Sequence, residues 1–126
     1  MWGLAVLLVV VVTAVAGGYR LSNSRSFQLA GTLVDRVQTS DKVVALTLDD
    51  GPTAETPEIL RILAAARVPT TFYLTGRELT EAPEHGVSIA AAGHEIGNHS
   101  YSHRRMVLMS PATVADEIEH TDTAIR

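Results

Sequence analysis

Two short segments of the 126-residue chain carry side chains that could do chemistry together. Asp49 and Asp50 lie in TLDDGP, directly after an apolar run, and His99 and His103 lie in GHEIGNHSYSH. Carboxylates and imidazoles both exchange protons and both bind divalent metal ions. These residue types therefore indicate either a metal site or an acid–base site, against the alternatives of a solvated loop or a group of core histidines.

The aspartate segment has two interpretations when taken alone. Asp, Gly and Pro are common turn residues, so DDGP by itself favours an ordinary turn. In α/β folds, however, the carboxyl end of a strand is where ligands bind. Adjacent residues of an extended segment point in opposite directions, so Asp49 and Asp50 need not share a role.

The histidine segment is also ambiguous alone. His99 and His103 are four residues apart, so on a helical turn both imidazoles would face one side and could bind one metal ion with a carboxylate. His94 precedes Glu95 at the start of a predicted strand, and we expect a structural or supporting role for it. Asn98 is predicted to hold the loop through side-chain to backbone hydrogen bonds.

The apolar and β-branched runs predict the strands that position these residues. Val43–Leu48 is apolar at nearly every position, as in a strand covered on both faces. The other predicted strands are Phe27–Leu29 and Leu33–Val37, joined around Gly31, then Thr70–Leu74 closed by Gly76, and a short strand within HEIGNH.

Helix signals separate these strands. One helix is predicted from a Thr56 cap and Pro57 to a stop near Arg67, with an apolar face. A second is predicted over Pro83–Ala92 with Gly93 as its stop. A third opens at Ser110-Pro111 and continues to Arg126.

The β-α-β-α-β-α order predicts a parallel α/β architecture. The carboxyl ends of parallel strands meet at one edge of a sheet, so the aspartate and histidine pairs should converge there. Two histidines and one carboxylate with open positions form a ligand set for Zn²⁺, or for a similar divalent ion such as Co²⁺, Ni²⁺ or Mn²⁺.

Three segments in this order, VVALTLDDGPT, TTFYLTG and GHEIGNHSYSH, resemble the polysaccharide deacetylase family (the NodB homology domain, carbohydrate esterase family 4). The resemblance covers residues 43–126, with Leu48 in place of the usual Phe. It implies the N-terminal portion of a distorted (β/α) barrel. It also implies a metal-dependent hydrolase, acting on carbon–nitrogen bonds other than peptide bonds, that removes N-acetyl or O-acetyl groups from an acetylated polysaccharide such as peptidoglycan or a chitin-type polymer.

The same resemblance assigns roles to single residues. Asp49 matches the catalytic base, and the metal ligands match Asp50, His99 and His103. Asn98 and His94 are expected to support the site. The family's later Arg-x-Pro-Tyr, Asp-Trp and Leu-x-His segments do not occur in the sequence.

Three βα units are too few to close a barrel, which takes about 200 residues or more. We therefore expect an N-terminal piece of a longer domain, truncated at its C-terminus, with little or no activity alone. The alternative is a membrane-anchored, glycan-binding pseudoenzyme that lacks the acid half of the site. An aspartyl phosphohydrolase is disfavoured because that class needs its two aspartates two positions apart.

The first 19 residues form a separate apolar segment without a charged side chain. A run of this length suits a transmembrane helix, and AVA at Ala14–Ala16 suits signal-peptide cleavage. A buried soluble helix is disfavoured because Val is a poor helix former outside a membrane. We expect a signal peptide or membrane anchor over residues 1–19, then a linker and short β lead-in over residues 20–42, in an exported, cell-envelope or extracellular protein of bacterial type.

Composition excludes some classes of protein. The net charge is −4 and no long basic cluster occurs, so nucleic acid is not expected as a partner. The chain has no cysteine, which excludes disulfides and thiolate metal sites.

Overall fold

The computed structural model describes residues 2–24, 26–27, 32, 34 and 36–126. The chain divides into two compact units, Met1–Lys42 and Val43–Arg126. The first contains one long helix, and the second contains a small parallel sheet with four helices in the described part of the chain.

Helix α1, Trp2–Ser22, makes up most of the first unit. Its side chains are exposed along its whole length. At about 1.5 Å per residue the helix is about 31 Å long, close to the thickness of a bilayer core. Among the described residues it is the one helix long and apolar enough to cross a membrane.

The end of α1 lies beyond the apolar run. The helix includes Arg20–Ser22, which were predicted to begin a linker. The prediction was wrong there because the turn is closed by polar groups: the Ser22 hydroxyl and the Asn23 side-chain amide donate to the Tyr19 carbonyl at 2.9 and 2.8 Å. Such bonds satisfy the carbonyls that every helix end leaves without a partner.

Three parallel strands form the sheet of the second unit, in the order β1-β2-β3. Their bounds are β1 Thr47–Asp49, β2 Thr71–Leu74 and β3 Glu95–Asn98. The register places Asp49, Tyr73 and Gly97 in one row across the sheet. The predicted parallel α/β arrangement is therefore present, and the carboxyl ends of all three strands share one edge.

Four helices connect or follow these strands: α2 Thr56–Ala66, α3 Gly76–Glu81, α4 Pro83–Ala91 and α5 Pro111–Ile125. The cap predicted for α5 is confirmed, because the Ser110 hydroxyl accepts a hydrogen bond from the Thr113 N–H at 3.1 Å. The cap predicted for α2 is wrong. Glu55 occupies that position, and the Thr56 hydroxyl instead accepts a bond from the Thr53 N–H at 3.0 Å.

One face of the sheet packs on the helices and forms the core. Phe72 and Leu74 alternate with Tyr73 along β2, and they are buried whereas Tyr73 is 38% exposed. The buried core consists of Leu63, Phe72, Leu74, Leu79 and Ile89. The opposite face carries polar side chains in the described chain, including Asp49, and Thr71 donates to the Glu95 carboxylate at 2.8 Å.

The prediction for the first strand was too long. Val43–Leu46 lies outside β1, and Val44 is 96% exposed rather than covered on both faces. Since β1 is an edge strand, these residues lack a neighbouring strand on one side and only the Leu46 carbonyl bonds to β2, accepting from the Thr71 N–H at 3.1 Å.

Two further strand predictions fall in the first unit. Part of Phe27–Leu29 and part of Leu33–Val37 lie outside the described residues. The described members of these two ranges, Phe27, Val34, Arg36 and Val37, are not in a strand.

Candidate metal and catalytic site

Three of the predicted site residues, Asp50, His99 and His103, lie in two connections at the carboxyl edge of the sheet. Residues 50–55, here called the aspartate turn, join β1 to α2. Residues 99–103, here called the histidine loop, follow β3. The His99 N–H donates to the Leu74 carbonyl at 3.0 Å, which continues the β2–β3 pairing into the start of the histidine loop.

Asp50, His99 and His103 come together as one cluster. Asp50 Oδ1 lies 3.3 Å from His99 Nε2 and 3.4 Å from His103 Nε2. One ligand atom from each residue lies within 4.8 Å of the others. The imidazole rings of His99 and His103 are stacked, with centroids 4.8 Å apart.

The spacing of these atoms fits a divalent metal ion. Two ligand atoms, each about 2.1 Å from a tetrahedral ion, lie about 3.4 Å apart. The two nitrogen–oxygen distances, 3.3 and 3.4 Å, agree with that value. Two imidazole nitrogens and one carboxylate oxygen are also the donor types that Zn²⁺ and similar ions accept at catalytic sites. The three residues could therefore hold such an ion.

The predicted geometry of the histidine pair was wrong in one respect. Residues 99–103 are not helical, and both Ser100 and His103 have left-handed backbones, with φ of 63° and 53°. A turn of the chain, rather than the helical i, i+4 relation, brings the two rings together. The spacing of four residues predicted that the two rings would meet, which they do, but through a conformation other than the expected helical turn.

Asp49 and Asp50 occupy different surroundings, as the sequence predicted for adjacent positions. Asp49 ends β1 on the open face of the sheet, level with Tyr73 in the next strand. Asp50 has a left-handed backbone with φ of 68° and joins the two histidines, whereas Asp49 is not a member of the cluster. The two carboxylates are thus separated by the change of backbone direction between them.

Asn98 makes the predicted contact with the histidine loop. Its side-chain oxygen accepts a hydrogen bond from the Ser100 N–H at 2.9 Å. Its amide nitrogen donates to the Ile118 carbonyl and the Asp122 carboxylate of α5, at 2.9 and 2.7 Å. Asn98 therefore connects the loop to a helix as well as to its own backbone.

Glu117, on α5, is a residue that sequence reasoning missed. Its Oε2 accepts hydrogen bonds from the Tyr101 and Ser102 N–H groups at 3.0 and 2.7 Å, and its Oε1 accepts one from the Ser102 hydroxyl at 2.5 Å. These bonds, above all the one from the Ser102 hydroxyl, hold the pKa of the Glu117 carboxyl below its ordinary value. No sequence motif marks this residue, because the contact joins positions that are distant along the chain.

The start of α3 bonds to both connections. The N–H and the hydroxyl of Thr75 both donate to the Gly51 carbonyl in the aspartate turn, each at 3.0 Å. The Gly76 N–H donates to the Ser100 carbonyl, and the Arg77 N–H donates to the Tyr101 carbonyl, both at 3.0 Å. Three consecutive residues thus fix the two halves of the site relative to each other.

Helix α3 was not predicted, because in the sequence Gly76 indicates only the end of the preceding strand. A signal existed, because Thr75 and Glu78 have the Thr-x-x-Glu spacing of a capping box. In the structure the Thr75 side chain makes no cap bond to the helix backbone, and its hydroxyl instead contacts the Glu78 carboxylate.

His94 lies away from the cluster. It precedes β3 at the amino end of that strand, whereas His99 follows the carboxyl end. Its ring packs against Phe72, with centroids 5.4 Å apart, and its Nδ1 is buried without a hydrogen-bond partner among the described residues. Two roles were expected for His94, a structural one and a supporting one at the cluster. The packing against Phe72 fits the structural role. In the part of the chain that the structure describes, no contact joins His94 to Asp50, His99 or His103.

Comparison with known proteins matches residues 36–126 to the family model described as polysaccharide deacetylase. A chitooligosaccharide deacetylase of Bradyrhizobium sp. (strain ANU 289) is 40% identical over 84 residues, covering 66% of this chain and 38% of the relative. A peptidoglycan-N-acetylglucosamine deacetylase of Bacillus cereus is 41% identical over 80 residues, covering 63% of this chain and 29% of the relative.

A solved structure gives the same result. The family 4 carbohydrate esterase of Streptomyces lividans, in complex with acetate, superposes with a TM-score of 0.64 at 33% identity, covering 65% of this chain and 43% of that protein. The chain thus spans less than half the length of each of these three proteins. The predicted α/β fold class is confirmed, with the barrel present in part. Since the family model matches more than half of the sequence, the chain belongs to the polysaccharide deacetylase family.

Proposed function

We propose that this chain supplies the metal site and the general base of a metal-dependent polysaccharide deacetylase. The observation that carries the proposal is the approach of Asp50 Oδ1 to His99 Nε2 and His103 Nε2 at 3.3 and 3.4 Å. In a chain of this family, the cluster at the carboxyl edge of the sheet is where a ligand is expected to bind.

Asp50, His99 and His103 would hold the ion, with Zn²⁺ favoured and Co²⁺, Ni²⁺ or Mn²⁺ as alternatives. A bound divalent ion supplies Lewis acidity, which lowers the pKa of water and polarises an acetyl carbonyl. The histidine side chains are 29% and 55% exposed, so solvent and substrate can reach the cluster.

Asp49 is proposed as the general base. It is adjacent to Asp50 in sequence but outside the ligand cluster, so its carboxylate would not be needed to hold the metal and could take a proton from the attacking water. In hydrolysis of an N-acetyl group, the water oxygen bonds to the acetyl carbon and the carbon–nitrogen bond breaks. The leaving nitrogen takes up the protons that water loses, so the products are acetate and the protonated amine.

The substrate is proposed to be an acetylated glycan of the cell wall or the extracellular space. The two relatives described above are named for chitooligosaccharide and for N-acetylglucosamine in peptidoglycan. We propose the same class of substrate for this chain, namely N-acetylated polymers of this kind. O-acetylated polymers are included in the proposal.

Helix α1 is proposed to direct the protein out of the cytoplasm, as a cleaved signal peptide or a retained anchor. The support is its length and its apolar, fully exposed surface. Mass spectrometry of the N-terminus of the mature protein distinguishes the two, because cleavage after Ala16 would remove most of the helix.

The test of the proposed function compares two variants of the full chain, purified in detergent micelles. We expect the wild type to bind one equivalent of Zn²⁺. His103→Ala should bind it more than about 100-fold more weakly, because the loss of a direct ligand should exceed the 10–100-fold loss typical of residues that only orient the ligands. Asp49→Asn should keep its Zn²⁺ affinity and, in any form of the protein with measurable acetate release, lose about 10²–10⁴-fold in rate.

Two results would count against these assignments. If Asp49→Asn loses the metal, the division of roles between the aspartates is wrong. If the wild-type chain binds no Zn²⁺, the proposed metal site is wrong. Binding of Zn²⁺ and of glycan without acetate release from any form of the protein would favour the pseudoenzyme alternative.

A further inference from the structure

The histidine loop has a conformation that its own residues do not favour. Ser100 and His103 are both in the left-handed region, with φ of 63° and 53°, where residues other than glycine are uncommon. Serine is not enriched in this region, and histidine, although enriched there, still adopts it in only a minority of cases. The loop therefore depends on contacts from elsewhere in the fold to hold His99 and His103 together.

Glu117 makes its contacts between those two histidines. The Tyr101 and Ser102 N–H groups both point to its carboxylate, at 3.0 and 2.7 Å, and the Ser102 hydroxyl adds a bond at 2.5 Å. Hydrogen bonds to an ionised acceptor are among the stronger ones in proteins. One rigid helix side chain thus fixes the middle of the loop from outside.

The helix that carries Glu117 is itself tied to the strand end. Asn98, the last residue of β3, donates to Asp122 and to the Ile118 carbonyl of the same helix at 2.7 and 2.9 Å. Thr121 is fully buried against Gly76, whose N–H bonds to Ser100. The position of Glu117 is therefore fixed by the fold and not by the loop that it holds.

We propose that Glu117 is a positioning residue that sets the separation of His99 and His103 and thereby the affinity and geometry of the metal site. The inference rests on the proposed function, because it needs the histidines to bind an ion. It goes further by assigning part of the site to α5, a helix that contributes no ligand to the cluster.

The test measures metal binding by the full chain in detergent micelles with Glu117→Ala, Glu117→Gln and, as a matched control, Glu119→Ala. Glu119 is an exposed glutamate on the same helix. We expect Glu117→Ala to weaken Zn²⁺ binding about 10–100-fold, the range found for residues that orient metal ligands. Glu117→Gln should recover part of the loss, because its amide oxygen still accepts bonds from the two N–H groups, and Glu119→Ala should change affinity less than about twofold.

A second readout separates positioning from simple stabilisation. The visible absorption of Co²⁺ bound in place of Zn²⁺ reports the coordination geometry, so Glu117→Ala should alter the spectrum at saturating Co²⁺. Unchanged Zn²⁺ affinity together with an unchanged Co²⁺ spectrum would overturn the inference. If Glu117→Ala does not fold, the Gln variant decides in the same way: a Zn²⁺ affinity and a Co²⁺ spectrum equal to those of the wild type would overturn it. Absence of Zn²⁺ binding in the wild type would instead refute the proposed function.

Discussion

The turn that carries Asp50 closes on its own neighbours in sequence, whereas the loop that carries His99 and His103 depends on two distant helices. In the aspartate turn, the Thr53 carbonyl accepts the Thr56 N–H at 3.0 Å and the Thr56 hydroxyl accepts the Thr53 N–H at 3.0 Å. Asp50 and Gly51 have left-handed backbones, which turn the chain back after β1. The bond to the turn from a distant residue comes from the Thr75 N–H, which donates to the Gly51 carbonyl.

The histidine loop has the opposite pattern. Its carbonyls at Ser100 and Tyr101 accept bonds from α3, and its N–H groups at Tyr101 and Ser102 donate to Glu117 of α5. Contacts of this kind form only when the helices pack, so the loop acquires its conformation from the tertiary fold. The comparison teaches that one half of the proposed metal site is held largely by local contacts, while the other half depends on packing.

The largest effect should come from filling the space where α3, α5 and the histidine loop meet. A Cβ at Gly76 would lie 2.5 Å from Tyr101 Cδ2 and 3.1 Å from the backbone Cα of Thr121. Because Thr121 is on a packed helix and cannot retreat easily, Gly76→Ala should lower the free energy of unfolding by about 1–3 kcal/mol and weaken Zn²⁺ binding. Thermal unfolding and Zn²⁺ titration of the full chain in micelles measure both.

The matched control for that change is Gly86→Ala on α4. A Cβ at Gly86 would come within 2.4 Å of Leu79 Cδ1, the end of a flexible side chain, with no backbone atom among its near neighbours. Replacing a helical glycine by alanine also favours the helix by about 1 kcal/mol. We expect little net change in stability and unchanged metal affinity. Equal losses in both variants would mean that the contact between Gly76 and the histidine loop is unimportant for the site.

A smaller effect is expected on the aspartate side of the site. Thr75→Val keeps the shape of a side chain that is 2% exposed but removes the hydroxyl that contacts both the Gly51 carbonyl, at 3.0 Å, and the Glu78 carboxylate. The Thr75 N–H still donates to the same carbonyl, so the loss should be about 1 kcal/mol of stability, with at most a few-fold loss of Zn²⁺ affinity. Thr75→Ser, which keeps the hydroxyl, should restore most of it. A loss of Zn²⁺ affinity larger than that of Gly76→Ala would reverse the comparison.

The same division explains which features could be predicted from the sequence. The cap at Ser110, the strand Thr71–Leu74 and the convergence of Asp50 with the two histidines follow from local patterns and from the parallel order of the strands. The strand predicted over Val43–Leu46 is absent, and the sequence could not show this. An apolar pattern does not reveal that these residues lie at an edge of the described sheet, where they have no second neighbouring strand.

The conformation of the histidine loop and the role of α5 could not be predicted for a related reason. Tyr101 and Glu117 are 16 positions apart, and no period or motif joins them. No local motif indicates that Ser100 and His103 adopt positive φ, since serine is not enriched there and most histidines have negative φ. The sequence predicted that Asp50, His99 and His103 would converge, and only the packed structure shows which contacts hold them together.

The smallest predicted effect is a dependence of the histidine loop on pH through Glu117, which is only half-buried and therefore screened by solvent. The Ser102 hydroxyl, the neighbouring N–H groups and the charge of Arg104 lower the pKa of this carboxyl in the folded chain. A carboxyl with a lowered folded pKa stabilises the fold fully above its unfolded pKa, near 4.5, and that contribution is lost as the pH falls through the lower, folded value.

The measurement compares the midpoint of thermal unfolding of the metal-free wild-type chain with that of Glu117→Gln, from pH 6 to pH 3. Taking the difference between the two removes the contributions of the other carboxyls, because both proteins share them. The wild type should be the more stable at pH 6, and the difference should shrink below about pH 4.5 as the Glu117 carboxylate takes up a proton. A difference that stays constant over this range would contradict this prediction, because it would mean that Glu117 holds the histidine loop only as a hydrogen-bond acceptor and that its charge contributes nothing.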